Sequence, residues 1–162
     1  MNIEHLEERV NDYRASIKTV IEKKNIWHKT TKKLLKKTLT EIVKKYNIGW
    51  CVQELNWMNT NDSININFES FPDEFIEQTS LTPSLQFIKG GALIFTQTYS
   101  GDVNVFTLYP YIENSPDNLS DNEIEVYNPQ MIDERLIIEK VDEFLKDMIN
   151  WEVPNVKNKV GF

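Results

Sequence analysis

Apolar residues recur every three or four positions from Ile3 to Val20 and again from Leu35 to Tyr46, and after Gly49 the period drops to two. A period near 3.6 lines one face of a helix, whereas a period of two lines one face of a strand. The chain is therefore committed to helices first and a sheet second. Ile3, Leu6, Val10, Tyr13, Ile17 and Val20 alternate spacings of three and four, a heptad-like stripe on a first helix from about Asn2 to Glu22. Lys24 falls at the next stripe position and ends it. The preferred reading is that the stripe packs on the rest of the domain; the alternative is a dimer seam.

A second helix is expected from Thr30 or Thr31, a threonine N-cap, to Tyr46, with Asn47-Ile48-Gly49 as its stop. At 100° per residue Leu35, Leu39, Ile42, Val43 and Tyr46 share a face; Lys33, Lys37 and Lys44 lie nearly opposite, flanked by Lys29 and Lys36. The two helices are expected to form a hairpin with Trp27 near its corner.

Trp50–Trp57 is rich in strand formers, and Ile64, Ile66 and Phe68 alternate with polar residues. With Asn59–Asp62 as the loop, Trp57 pairs with Ile64 and Leu55 with Ile66, which places Cys51 on the core side. A second hairpin joins Ala92–Tyr99 to Val103–Tyr109 through Ser100-Gly101. Read as a two-residue turn, it pairs Phe95 with Phe106, Leu93 with Leu108, Gln97 with Asn104 and Tyr99 with Asp102. Lys89-Gly90-Gly91 suggests a bulge before it, and Phe71–Ser84 is a less regular connection with one or two helical turns. Ile124–Tyr127 reads as an edge strand. Asn128-Pro129 reads as N-cap and first residue of a long last helix to about Trp151, with Ile132, Leu136, Ile137, Val141, Phe144, Leu145 and Met148 as its stripe.

The fold class this implies is α+β: an N-terminal helical hairpin, an antiparallel sheet of four to five strands built from two β-hairpins, and a long C-terminal helix, with helices mainly on one face. The expected organisation is one domain over residues 1–154. It divides into a basic helical segment (1–48), hairpins (49–112), an acidic linker (113–128) and the last helix (129–152), with a flexible tail at 155–162.

Charge follows the same division. Residues 1–46 carry 12 basic and 6 acidic side chains, a net of +6, against 6 and 19, a net of −13, in the rest. Lys23–Lys45 holds nine lysines and one acid, Glu41. Opposite fields on one small domain point to self-association or to two partners. The single cysteine excludes an internal disulfide, and no apolar run approaches the ~20 residues of a membrane span. The N-terminal residues match neither a secretory leader nor a myristoylation signal, so a cytoplasmic location is expected.

Motifs for chemistry are sparse. His5 and His28 have no ligand-spaced neighbours and are expected to be exposed. Cys51, between Trp50 and Val52, reads as a small apolar strand residue and not as a nucleophile. The run Asp117–Glu123 is rich in oxygen but has Leu119 at a ligand position and lacks the turn glycine of a calcium loop. No glycine lies in a phosphate-cradling motif. The reading is a small non-catalytic protein-interaction module with no cofactor, no metal and no catalytic residue. Its partner-binding residues are Lys29, Lys33, Lys36, Lys37 and Lys44, and its partner is a protein with an acidic surface, a second copy of the chain included. A membrane partner is not expected. One alternative is nucleic-acid phosphate on the same lysines, disfavoured because the patch lacks arginine. The other is an enzyme of unknown type with a cleft near the sheet edge.

Overall fold

The computed structural model describes residues 3–57, 61–70, 72, 74, 91–109 and 123–150. Helix α1 (Ile3–Ile26) passes through a π turn (Trp27–Thr31) directly into α2 (Lys32–Lys45). Ile26, Thr31 and Lys32 all keep right-handed helical dihedrals, and the Lys32 N–H donates to the Trp27 carbonyl. The expected hairpin is thus replaced by one continuous helical rod. An N-cap residue must leave helical space, and Thr31 does not; its buried hydroxyl donates instead to the Pro129 carbonyl, 2.9 Å away. Thr31 is therefore a tertiary anchor, not a cap.

Strands β1 (Trp50–Trp57), β2 (Asn61–Phe68), β3 (Ala92–Gln97), β4 (Val103–Leu108) and β5 (Glu125–Tyr127) form an antiparallel sheet in sequence order. Each strand pairs with its chain neighbour, as a meander of hairpins should. Both registers differ from those expected. In the first hairpin Ile64 pairs with Glu54, Ile66 with Val52 and Trp57 with Asn61. The ladder reaches back to Asn61, which belonged to the expected loop, and the shorter connection shifts the register by three residues. An odd shift moves side chains to the other face. Trp50, Val52 and Glu54 point toward the helices, and Cys51, pairing with Asn67, lies on the opposite side from the one expected.

In the second hairpin Phe95 pairs with Val105, Leu93 with Thr107 and Gln97 with Val103. The cause is the turn. Gly101 N–H donates to the Thr98 carbonyl and Thr98 N–H to the Asp102 carbonyl, with Gly101 at φ +90°. Tyr99-Ser100-Gly101 is thus a three-residue loop closed by a left-handed glycine, so the register moves by one. Phe106 pairs with Ile94 instead of Phe95. Gly101 is required twice over, because a Cβ there would stand 2.6 Å from Lys23 Cβ.

Helix α2 and helix α3 (Glu134–Asn150) cover one face of the sheet. Leu35 and Leu39 of α2, and Ile137, Val141 and Phe144 of α3, meet Ile64, Ile66, Leu93, Phe95, Val103 and Val105. Phe68 stacks between Trp50 and Phe144, with centroids 5.7 Å from each. Trp27, fully buried, plugs the rod into this core. Asn128 caps as expected, accepting from Gln130 N–H with Pro129 first in the turn, but it caps a 3-10 turn, Pro129–Met131. The long helix starts at Glu134, where Asp133 Oδ1 accepts from Leu136 N–H. No helix among the described residues is long and apolar enough to cross a membrane. The expected Phe71–Ser84 connection apart from residues 72 and 74, Lys89-Gly90, residues 113–122 of the acidic linker and the 155–162 tail lie outside the described residues.

Candidate functional site

The rod carries two different surfaces. Along α1, residues 3–16 are all exposed, stripe included: Ile3 at 61%, Leu6 at 60%, Val10 at 39% and Tyr13 at 65%. The expected packing of the whole stripe on the domain is not observed; only Ile17 and Val20 are partly covered. From there the β3–β4 turn grips the helix. Lys23 pairs with Asp102 at 2.8 Å, and Lys24 Nζ lies 5.3 Å from the Tyr99 ring centroid. The lysine that ends the stripe in sequence thus also ends it in space.

The second surface is the lysine face of α2. Lys29, Lys33, Lys36, Lys37 and Lys44 are all exposed. Lys36 reaches Glu54 at 3.1 Å in an open pair. Among the described residues Lys29, Lys33, Lys37 and Lys44 meet no carboxylate. The other lysines of the segment are engaged: Lys23 and Lys24 as above, Lys45 over the Tyr46 ring, and Lys32 in a network missed from sequence.

Lys32 projects from the flank of α2 between Glu54 at 2.6 Å and Asp62 at 2.8 Å. Asp62 Oδ2 also accepts from Trp27 Nε1 at 2.8 Å. Burial by itself lowers the Lys32 pKa, but hydrogen bonds to Asp62 and Glu54 outweigh it and hold the ammonium above its ordinary value. The Glu54 carboxyl is held below its ordinary value by Lys32, then Lys36. A charged group beside a buried indole fixes the rod at one rotation about its axis.

A matching network sits under α3. Lys140, 7% exposed, reaches Glu125 of β5 and Glu143, with the Tyr127 ring centroid 5.7 Å away. Burial opposes its charge, yet the bonds to Glu125 and Glu143 raise its pKa; Glu125 is lowered in turn by Lys140, then Tyr127. Sequence held a signal for this. Leu136, Lys140 and Phe144 are spaced by four, so the lysine interrupts an apolar stripe, where only a paired charge is tolerated.

Beside Lys140, between the sheet edge and α3, lies a cleft of about 460 Å³. Glu123, Glu125, Glu143, Asp147 and Tyr109 line it over a floor that includes Phe144. Asp147 is raised above the ordinary carboxylate value by burial, then by Glu143 and Glu123. The Tyr109 phenol is raised by burial, then by Asp147 and Glu123.

Cys51 is half-buried, with its thiol 3.5 Å from Asn67 Oδ1. Burial, then Glu69, pushes its pKa up to about 11, so the thiol stays protonated at neutral pH and is a poor nucleophile. His5 and His28 are exposed. No group of three His, Cys, Asp or Glu among the described residues stands close enough to hold a metal ion. The chain matches no family model, no curated protein and no solved structure.

Proposed function

We propose that the protein is a non-catalytic protein-interaction module that presents the lysine face of α2 to a partner with an acidic surface. One observation carries the reading. Of nine lysines between Lys23 and Lys45, the fold engages five in its own contacts and leaves Lys29, Lys33, Lys37 and Lys44 together on one exposed face. Such a face steers and orients a negatively charged partner. The test is the triple reversal Lys33→Glu, Lys37→Glu, Lys44→Glu. Loss of a nuclease-resistant stoichiometric partner, with circular dichroism unchanged, supports the reading; undiminished capture refutes it. Capture that vanishes with nuclease and falls steeply with salt transfers the same lysines to nucleic-acid phosphate.

A second reading, an enzyme working from the sheet-edge cleft, is favoured by the raised Asp147 and lowered Glu125 in one cavity. Carboxyls whose pKa values are pushed apart are what acid–base chemistry uses. It ranks second because Glu125 is already occupied by Lys140 and Tyr127. A catalytic activity of the purified protein that Asp147→Asn removes without unfolding it would reverse the order.

A further inference from the structure

We infer that the open edge of β1 takes an added strand: an extended acidic segment of the partner, whose alternate carboxylates reach the lysines of α2. The inference rests on the lysine-face reading, and it names how an acidic protein is held there.

The backbone supplies the first observation. β1 ends the sheet, and its eight residues pair without a break with β2, on one side only. Glu69 N–H donates to the Gly49 carbonyl, one step beyond the pair Trp50 and Phe68 in the same register, while Phe68 N–H donates the other way, to Gly91. Bonded and non-bonded pairs alternate along an antiparallel ladder. Cys51, Gln53 and Leu55 therefore turn their N–H and C=O groups to β2, and Val52, Glu54 and Asn56 turn theirs outward. Among the described residues nothing bonds to these outward groups. Natural sheets blunt such an edge with proline, lysine, a bulge, an inward charge or a short strand. β1 has no proline, no lysine and no bulge, and its one helix-side charge, Glu54, is neutralised by Lys32 and Lys36. The other edge strand, β5, is only three residues long.

Charge selects the occupant. Lys36 reaches Glu54, so its side of α2 leans over β1. Lys29, Lys33 and Lys36 are spaced by four and three and share that side. An added strand lies about 4.8 Å outside β1, and its side chains opposite Val52, Glu54 and Asn56 rise on the helix side, toward these lysines. Carboxylates at those alternate positions would meet Lys29 and Lys33, which pair with no acid among the described residues. A second copy is selected against. Antiparallel pairing of two β1 edges keeps the helices of both copies on one face of the joined sheet and sets lysine side against lysine side. The occupant is thus an extended segment of a different protein with acidic residues at alternate positions, bound by strand addition.

The test titrates the purified full chain with a short peptide alternating glutamate and valine, read by fluorescence anisotropy and amide exchange. Binding that slows exchange at Val52, Glu54 and Asn56 is expected, with a lysine–valine peptide inert. Asn56→Pro removes an outward N–H and touches no lysine; it should weaken binding by about tenfold. Its site is exposed and the β1–β2 ladder does not use that N–H, so the variant should fold, and a matching thermal midpoint checks it. Methylated peptides need no variant at all. An added strand turns every second amide to β1, so N-methylation of one alternate set should abolish binding and N-methylation of the other should not. Equal binding by both methylated peptides, or binding without protection in β1, overturns strand addition and leaves the lysine face acting through charge alone. No binding of the acidic peptide overturns it too, while the triple lysine reversal still decides the lysine face by itself.

Discussion

The front and rear of one continuous helical rod obey different physics. At the rear, Trp27, Leu35 and Leu39 are fully buried, and Lys32 is held by two carboxylates. At the front every described residue before Ile17 is exposed. Both halves have helical apolar periodicity. The contrast teaches that a stripe states what a helix can bury, not what it does bury. A sheet lies beneath the rear, and nothing described lies beneath the front.

The largest expected effect breaks the rear. Trp27→Ala should cost about 3–5 kcal/mol in chemical denaturation, since it opens a cavity and removes a donor from Asp62. Leu6→Ala should change stability by less than about 0.5 kcal/mol at concentrations where the chain is monomeric. A comparable loss for both would dissolve the distinction.

Next is the clasp between them. Gly101→Ala must accommodate φ +90° and a 2.6 Å approach to Lys23, and should cost about 1–3 kcal/mol. Amide exchange should then accelerate in residues 17–26 before it does in α2. In the unaltered protein, residues 3–16 should exchange fastest of the rod at low concentration.

Acid sharpens the contrast more gently. The folded-state pKa values of Glu54 and Glu125 are depressed, so their contributions are complete above the ordinary carboxylate range and are lost as pH falls through the depressed values. Asp147 has the opposite sign. Its pKa is raised, so its charge opposes folding at neutral pH, and that penalty is relieved as pH falls through the raised value. Asp147→Asn should raise the thermal midpoint slightly at pH 7, and the gain should vanish in acid. A gain that persists there would mean that packing, not charge, is responsible.

The smallest effect on stability belongs to Lys33→Glu, Lys37→Glu, Lys44→Glu, within about 0.5 kcal/mol per site. Denaturation midpoints check that partner loss in this variant is not unfolding.

Local pattern alone settled which segments are helices and which are strands, their order, the α3 stripe and the lysine face opposite Leu35 and Leu39. These follow from spacings within one element, where the backbone period dictates which side chains share a side. Pairing across elements obeyed other rules. The β3–β4 register turned on whether Ser100-Gly101 or Tyr99-Ser100-Gly101 makes the loop, and one residue of difference separated Phe95 from Phe106. Thr31 resembled a cap until the Pro129 carbonyl, 98 positions away in the chain, took its hydroxyl. Lys32 and Lys33 are adjacent and chemically identical, yet only Lys32 faces Glu54 and Asp62. Which lysine is engaged and which stays free depends on what distant strands bring beneath the helix, and that is a property of assembled surfaces, not of any window of sequence.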